Sequence, residues 1–250
     1  GSEENFILST DKDSFKNSQL SYEEYLDAVG STVDSLGGNI SRISNKNFFL
    51  TKKYKGFFKE FLNSTGIKKC ALGGNSLGGR IAWNFAVKYP EMVDKLILID
   101  ASGYPFKAKS LPSAFKIAQI PIIKNVFTFI TPRFVVKASV ENVFADKTKV
   151  SDKLIDRYFE LTLREGNRQA FIDRFAVKKD STSYTNIKSI EQRTLVLWGE
   201  EDKLIPQEKA FEFHNDLPND TLVILKGVGH VPMEESPKQS LESVISFLED

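Results

Sequence analysis

Ser76 stands in the run LGGNSLGG, Leu72 to Gly79, between an apolar stretch and the helix-forming RIAWNFAVKYP. A serine hydroxyl is a poor nucleophile at neutral pH, so chemistry at this position requires a base, and the base requires an orienting acid. The chain has two histidines, which shortens the search. His214 lies in EKAFEFHND among charged residues and reads as a surface helix residue. His230 lies in LKGVGHVPMEESP, in a loop after an apolar run, where a base can reach over a sheet edge. The acid expected is Asp202 in LVLWGEEDKLIP, with Pro206 stiffening the turn behind it. Glu200, Glu201 and Asp100 are its rivals by position. Together Ser76, His230 and Asp202 would make a nucleophile, a general base and an orienting acid for attack on a carbonyl. The plain alternatives are a glycine-rich or phosphate-binding turn with a solvated serine, and a surface histidine.

The elements that must position these residues alternate. Strands are predicted at NFILS from Asn5, NISRIS from Asn39, KKCALG from Lys68, KLILID from Lys95, TLVLWG from Thr194 and TLVILKG from Thr221. Helices are predicted over Tyr22–Leu36, Lys55–Leu62, Leu77–Tyr89, Gln207–Asn215 and Pro237–Leu248. Such alternation argues for an α/β fold, a mostly parallel sheet of about six strands with helices on both faces. It breaks between about Gly103 and Ser189, where the pattern is helical, Pro112, Pro121 and Pro132 interrupt it, and Ser151 reads as an N-cap. The expected organisation is therefore a core over 1–102 and 190–250 carrying a helical cap over 103–189. In this setting Gly74-Asn75-Ser76-Leu77-Gly78 is a G-x-S-x-G sequence between a strand and a helix, the context a nucleophile elbow requires. Its glycines would let strand and helix approach closely, and Ser76 would sit at a helix N-terminus whose free N–H groups favour an anion.

Composition narrows the functional classes. Lys and Arg number 34 against 33 Asp and Glu, with no long basic block, so nucleic acid is not an expected partner. The single cysteine, Cys70, permits no intramolecular disulfide and reads as a small core residue. The most apolar segment, Ile117 to Val136, is interrupted by Pro121, Lys124, Pro132 and Arg133, so no membrane span is expected there. No secretion signal is visible, and a cytoplasmic setting is the default expectation. The opening Gly1-Ser2 reads as a remnant of cloning, which implies a native segment upstream, a targeting one among the options. Neither a metal nor a cofactor is expected.

The runs GNSLGGRIAWNFAVKYPEMVDKLILIDASGYP, LVLWGEEDKLIP and GVGHVPMEESP resemble the serine hydrolases of the α/β-hydrolase fold, esterases and meta-cleavage-product hydrolases among them, in the chain order Ser, Asp, His. The resemblance implies an acyl-enzyme mechanism with Ser76, His230 and Asp202 as catalytic residues. It also implies two oxyanion N–H donors: one from Leu77, after the nucleophile, and one from the loop after NFILS. That loop carries His-Gly in the family and Ser9-Thr10 here, so Thr10, with Asp11 as the alternative, becomes the second donor expected. Loss of one such donor costs about 10²- to 10³-fold, and a weakly active or non-catalytic relative is the corresponding alternative. The cap is rich in Phe, Ile and Val, which serves cap packing or an apolar acyl chain or ring. Phe127, Phe129, Phe134 and Val231 are the pocket residues expected, and Arg164, Arg168 and Arg174 are candidates for a substrate carboxylate. Relatives that hydrolyse a carbon–carbon bond share the GNS elbow but usually carry Trp after the histidine. Val231 stands there in this chain, so a small-molecule carboxylic ester is the substrate class expected, with carbon–carbon hydrolysis as the alternative.

Overall fold

Among the described residues four short strands form the sheet, three of them rich in Leu, Ile and Val. The computed structural model describes residues 52–120, 123, 126–176 and 183–250. Within them the strands are β1 (Cys70–Asn75), β2 (Val93–Ile99), β3 (Arg193–Gly199) and β4 (Asp220–Leu225). They lie in the order β1-β2-β3-β4 and all pair in parallel, with Gly74 opposite Leu98, Leu98 opposite Val196, and Val196 opposite Leu222. The strands expected at NFILS and NISRIS, the helix expected over Tyr22–Leu36, and Thr10 lie outside the described residues.

Helices cover both faces because alternate strand residues are apolar on both sides. One core joins Leu96 and Leu98 of β2 and Val196 and Trp198 of β3 to helices α1 (Lys52–Ser64) and α2 (Leu77–Lys88). Phe58 meets Phe85 edge-on, with ring centroids 5.0 Å apart. The same core receives Ala210 and Phe213 of helix α7 (Glu208–Asp216). On the opposite face Ile97, Leu195, Leu197 and Leu225 pack on Phe247 of helix α9 (Pro237–Glu249). β3, one of the two inner strands of the described sheet, is buried from Thr194 through Gly199. Each Leu, Ile or Val taken fully out of water there contributes about 1.5–3 kcal/mol. A short helix, α8 (Pro232–Glu235), precedes α9.

Between β2 and β3 the described elements are all helical: α3 (Ser113–Ala118), α4 (Arg133–Val143), α5 (Asp152–Leu163) and α6 (Asn167–Ala176), with 3₁₀ turns at Lys147–Lys149 and Ser183–Ser189. Ser151 is the N-cap read from the sequence. Its side chain accepts from the Leu154 N–H. The insertion carries its own small core of Ala118, Phe127, Val135 and Ile172. A second cluster, Val136, Val140, Phe144 and Val231, joins it to the loop that bears His230. Among the described residues no helix is long and apolar enough to cross a membrane.

Candidate active site

Ser76, Asp100 and Asp202 all follow the C-terminal ends of strands, the edge at which open parallel sheets collect functional groups. The backbone ladder continues one residue past each of the first two strands: Ser76 N–H donates to Ile99 O at 2.9 Å, and Asp100 N–H to Leu197 O at 3.0 Å. Ser76 and Asp100 are the two non-glycine residues with positive φ among those described, at 54° and 44°. Backbone held in this region costs of order 1 kcal/mol or more per residue and persists where its surroundings over-determine it.

Ser76 turns the chain from β1 directly into α2. Two glycines permit that turn by close approach. A Cβ on Gly74 would lie 2.3 Å from the Gly78 carbonyl carbon, and one on Gly79 would lie 2.5 Å from the Ala101 Cβ. Gly78, the second glycine of the G-x-S-x-G pattern, has no such neighbour among the described residues. The close approach of strand and helix therefore rests on Gly74 and on Gly79, the second a position outside the pattern. Leu77 begins α2, so its N–H has no carbonyl within the helix to bond.

His230 and Asp202 are brought together. Nδ1 of His230 lies 2.6 Å from Oδ2 of Asp202, and both residues are buried. The other carboxylate oxygen of Asp202 accepts from the N–H groups of Leu204 at 2.8 Å and Ile205 at 3.0 Å. The turn that supplies those donors is pinned from behind, since the Trp198 indole N–H donates to Ile205 O at 3.0 Å. With Nδ1–H donating to Asp202, Nε2 is left as the basic nitrogen of the ring. Asn75, the residue before Ser76, donates through Nδ2 to the carbonyl of His230 at 2.9 Å and to that of Ile99 at 3.2 Å. It thus holds the histidine loop beside the serine turn.

The rivals for the acid separate cleanly. Glu200 accepts from the Gly227 N–H at 3.1 Å, and Glu201 is exposed. Asp100 is fully buried, and its Oδ1 accepts from the Gly199 N–H at 3.0 Å. One acceptor atom each from Asp100, Asp202 and His230 lie within 4.8 Å of one another. Burial, and after it the charge of Asp202, hold the Asp100 carboxyl well above the usual aspartate range. His214 is at the surface, with Nδ1 3.0 Å from Asp220 Oδ2.

Glu235 has no signal in the sequence that would single it out, yet it ties the histidine loop to the insertion. Its buried carboxylate accepts from the N–H groups of Gly229 at 2.7 Å, Ala145 at 3.1 Å and Asp146 at 2.7 Å. The His230 N–H donates to Val143 O at 2.8 Å in the same contact. Glu234 adds a second tie, accepting from Arg157 and, at 3.1 Å, from the Tyr158 hydroxyl of α5.

The residues expected to form a substrate pocket do not share one place. Phe127 is buried in the core of the insertion, and Val231 packs on Val136, Val140 and Phe144. Phe129 and Phe134 are 79% and 70% exposed. Of the arginines, Arg164 is exposed, Arg168 donates to Phe129 O at 2.6 Å, and Arg174 lies over the rings of Phe115 and Phe175. Cys70, expected as a buried small core residue, is half-buried at the start of β1 and packs against the main core.

The chain has relatives of known name. It is 29% identical over 182 residues to the uncharacterised hydrolase YugF of Bacillus subtilis, a match covering 73% of this chain and 66% of that one. It is 26% identical over 196 residues to the 2-hydroxymuconate semialdehyde hydrolase of Pseudomonas putida, covering 75% of this chain and 65% of the relative. The chain thus spans slightly under two thirds of the length of these relatives. A solved thermophilic esterase from Thermogutta terrifontis is alike in fold, with a TM-score of 0.61 at 24% identity over 76% of this chain and 68% of that one. The model of the alpha/beta hydrolase fold family matches residues 32–237. With that match, a parallel sheet covered on both faces, and a serine at the strand-to-helix turn, the chain belongs to the alpha/beta hydrolase fold family.

Proposed function

We propose that the protein is a serine hydrolase that cleaves a carboxylic ester through an acyl-enzyme. The observation that carries this reading is the buried 2.6 Å contact of His230 Nδ1 with Asp202, held by Asn75 beside the strained turn of Ser76. In this reading Ser76 Oγ attacks the ester carbonyl while Nε2 of His230 takes its proton. Asp202 holds the imidazolium that forms. The carbonyl oxygen becomes an oxyanion, stabilised by the Leu77 N–H at the start of α2 and by a second donor, for which Thr10 is the candidate. The imidazolium then protonates the departing alkoxide. Water, activated by the same histidine, attacks the acyl-enzyme and releases the acid and Ser76.

The helical insertion serves in this reading as a cap over an apolar substrate. The second reading is hydrolysis of a carbon–carbon bond, favoured by the GNS elbow and by the similarity to the 2-hydroxymuconate semialdehyde hydrolase of Pseudomonas putida. A panel of p-nitrophenyl esters of increasing chain length, run beside a vinylogous diketo acid, tests both. Turnover of esters with covalent fluorophosphonate labelling that Ser76→Ala abolishes supports the first. Preferential turnover of the diketo acid selects the second. Labelling that survives Ser76→Ala overturns the assignment of the nucleophile.

A further inference from the structure

Asp100 presents a problem of protons. Its carboxyl is fully buried, Oδ1 is satisfied by the Gly199 N–H, and Oδ2 has no hydrogen-bond donor among the described groups. Beside it stands the Asp202 carboxyl, in a cluster where acceptor atoms of Asp100, Asp202 and His230 lie within 4.8 Å of one another. Two buried carboxylates this close do not both ionise beside a single imidazole. Hydrogen bonding decides which one carries the charge. Asp202 receives the N–H groups of Leu204 and Ile205 and the ring N–H of His230, whereas Asp100 receives one backbone N–H. A carboxylate with three donors is the better anion, so the proton belongs on Asp100.

We infer that Asp100 is a positioning residue for the triad, a neutral carboxylic acid whose Oδ2–H donates to the Asp202 carboxylate and fixes the anion that orients His230. The inference rests on the proposed serine-hydrolase reading of this site and extends the triad by one residue. It gives an account of the φ of 44° at Asp100, since the unusual backbone turn after β2 carries the carboxyl inward. It also explains why a buried oxygen without a protein donor is tolerated: as a hydroxyl it needs an acceptor, and Asp202 is one. Among the described residues the charged groups around Asp100 are Asp202 from the loop after β3, His230 from the loop after β4, and Glu235 from α8. None of them supplies a cation that would favour a second anion when His230 is neutral.

The test is the NMR titration of His230, which needs no turnover and is simple to assign in a chain with two histidines. Asp100→Asn preserves both bonds, its Oδ1 accepting from Gly199 and its Nδ2 donating to Asp202. The titration midpoint of His230 should stay where it is in the unaltered protein. Asp100→Gly suits the positive φ and removes the donor. The charge on Asp202 is then less shared, the imidazolium better held, and the midpoint should rise by about half a unit or more. If Asp100 were an anion, either substitution would delete a negative charge near the ring and lower the midpoint by about one unit. A fall in Asp100→Asn overturns the inference, as does an unchanged midpoint in a folded Asp100→Gly. If Asp100→Gly does not fold, Asp100→Asn decides alone. Fluorophosphonate labelling of Ser76 in the same samples reads the hydrolase proposal separately, so failure of one is not confused with failure of the other.

Discussion

The side-chain amide of Asn75 donates to the carbonyl oxygen of His230 at 2.9 Å, joining residues 155 positions apart in the chain. The bond links the strand that ends in the serine turn to the loop that carries the histidine. Asn75→Ala would leave the His230 and Ile99 carbonyls without this donor, at a cost of about 1–2 kcal/mol in stability. The effect on rate should be larger than the effect on fold. With the loop free to shift against Ser76, kcat and the rate of fluorophosphonate labelling should fall about ten- to a hundredfold, with KM changed less. Labelling at the unaltered rate in a folded Asn75→Ala protein would show that the loop is held by other means.

Glu235 is the second such link, and its chemistry makes the conservative substitution informative. Its carboxylate accepts three backbone N–H groups, from Gly229, Ala145 and Asp146. In Glu235→Gln one carboxylate oxygen is replaced by an NH₂ that must face a donor. At least one buried N–H is then left unpaired, and stability should fall by about 2 kcal/mol. The midpoint of urea unfolding, with the slope unchanged, measures it. A Glu235→Gln protein as stable as the unaltered one would mean that the three donors find other acceptors.

The glycines around Ser76 are not equivalent. A Cβ at Gly79 would meet the Ala101 Cβ at 2.5 Å and the Gly74 carbonyl oxygen at 2.9 Å, so Gly79→Ala should destabilise by about 1–3 kcal/mol through overpacking. At Gly78 no atom of the described residues lies within 4 Å of an added Cβ. Gly78→Ala should be neutral, or stabilising by up to about 1 kcal/mol from helix propensity. Thermal melts of the two single variants should therefore move in different directions, and equal losses would contradict the geometry at the turn.

The four strands among the described residues were legible because they are short and mostly apolar, as in β3, where burial from Thr194 to Gly199 leaves no polar alternation to confuse the reading. Ser76, Asp202 and His230, the residues of the proposed site, were singled out because each follows such a run, so a place at the sheet edge could be inferred before any contact was known. What the sequence did not carry depends on register and direction. Asp100 read as a rival to Asp202, and only the alignment of β2 beside β3 places it as a neighbour. Phe127, Phe129 and Phe134 have similar compositional weight, yet one packs in the insertion core and two face outward. Their separation depends on how short helices and turns are oriented, which apolar content does not encode. Gly79 was hidden behind Gly78 for a related reason: a motif records spacing, whereas crowding depends on what lies across from each Cα.

The proton on Asp100 has a consequence for stability that is independent of catalysis. Burial, then the neighbouring Asp202 charge, raise its carboxyl well above the usual aspartate range. An unfolded chain releases that proton near pH 4, at about 3.9, while the folded chain keeps it to higher pH. The folded state therefore binds more protons through this window, and stability falls as pH rises. The contribution is full below about pH 4, declines by up to about 1.4 kcal/mol for each pH unit, and levels off once the folded carboxyl ionises. Asp100→Asn carries no such proton and keeps the same shape and bonds. Its melting temperature should match that of the unaltered protein near pH 4 and exceed it by a margin that grows toward pH 8, the other groups titrating alike in both. Paired melts across that range measure the margin. One that is constant with pH would place an ordinary ionised carboxylate at Asp100 and remove the neutral acid from beside Asp202.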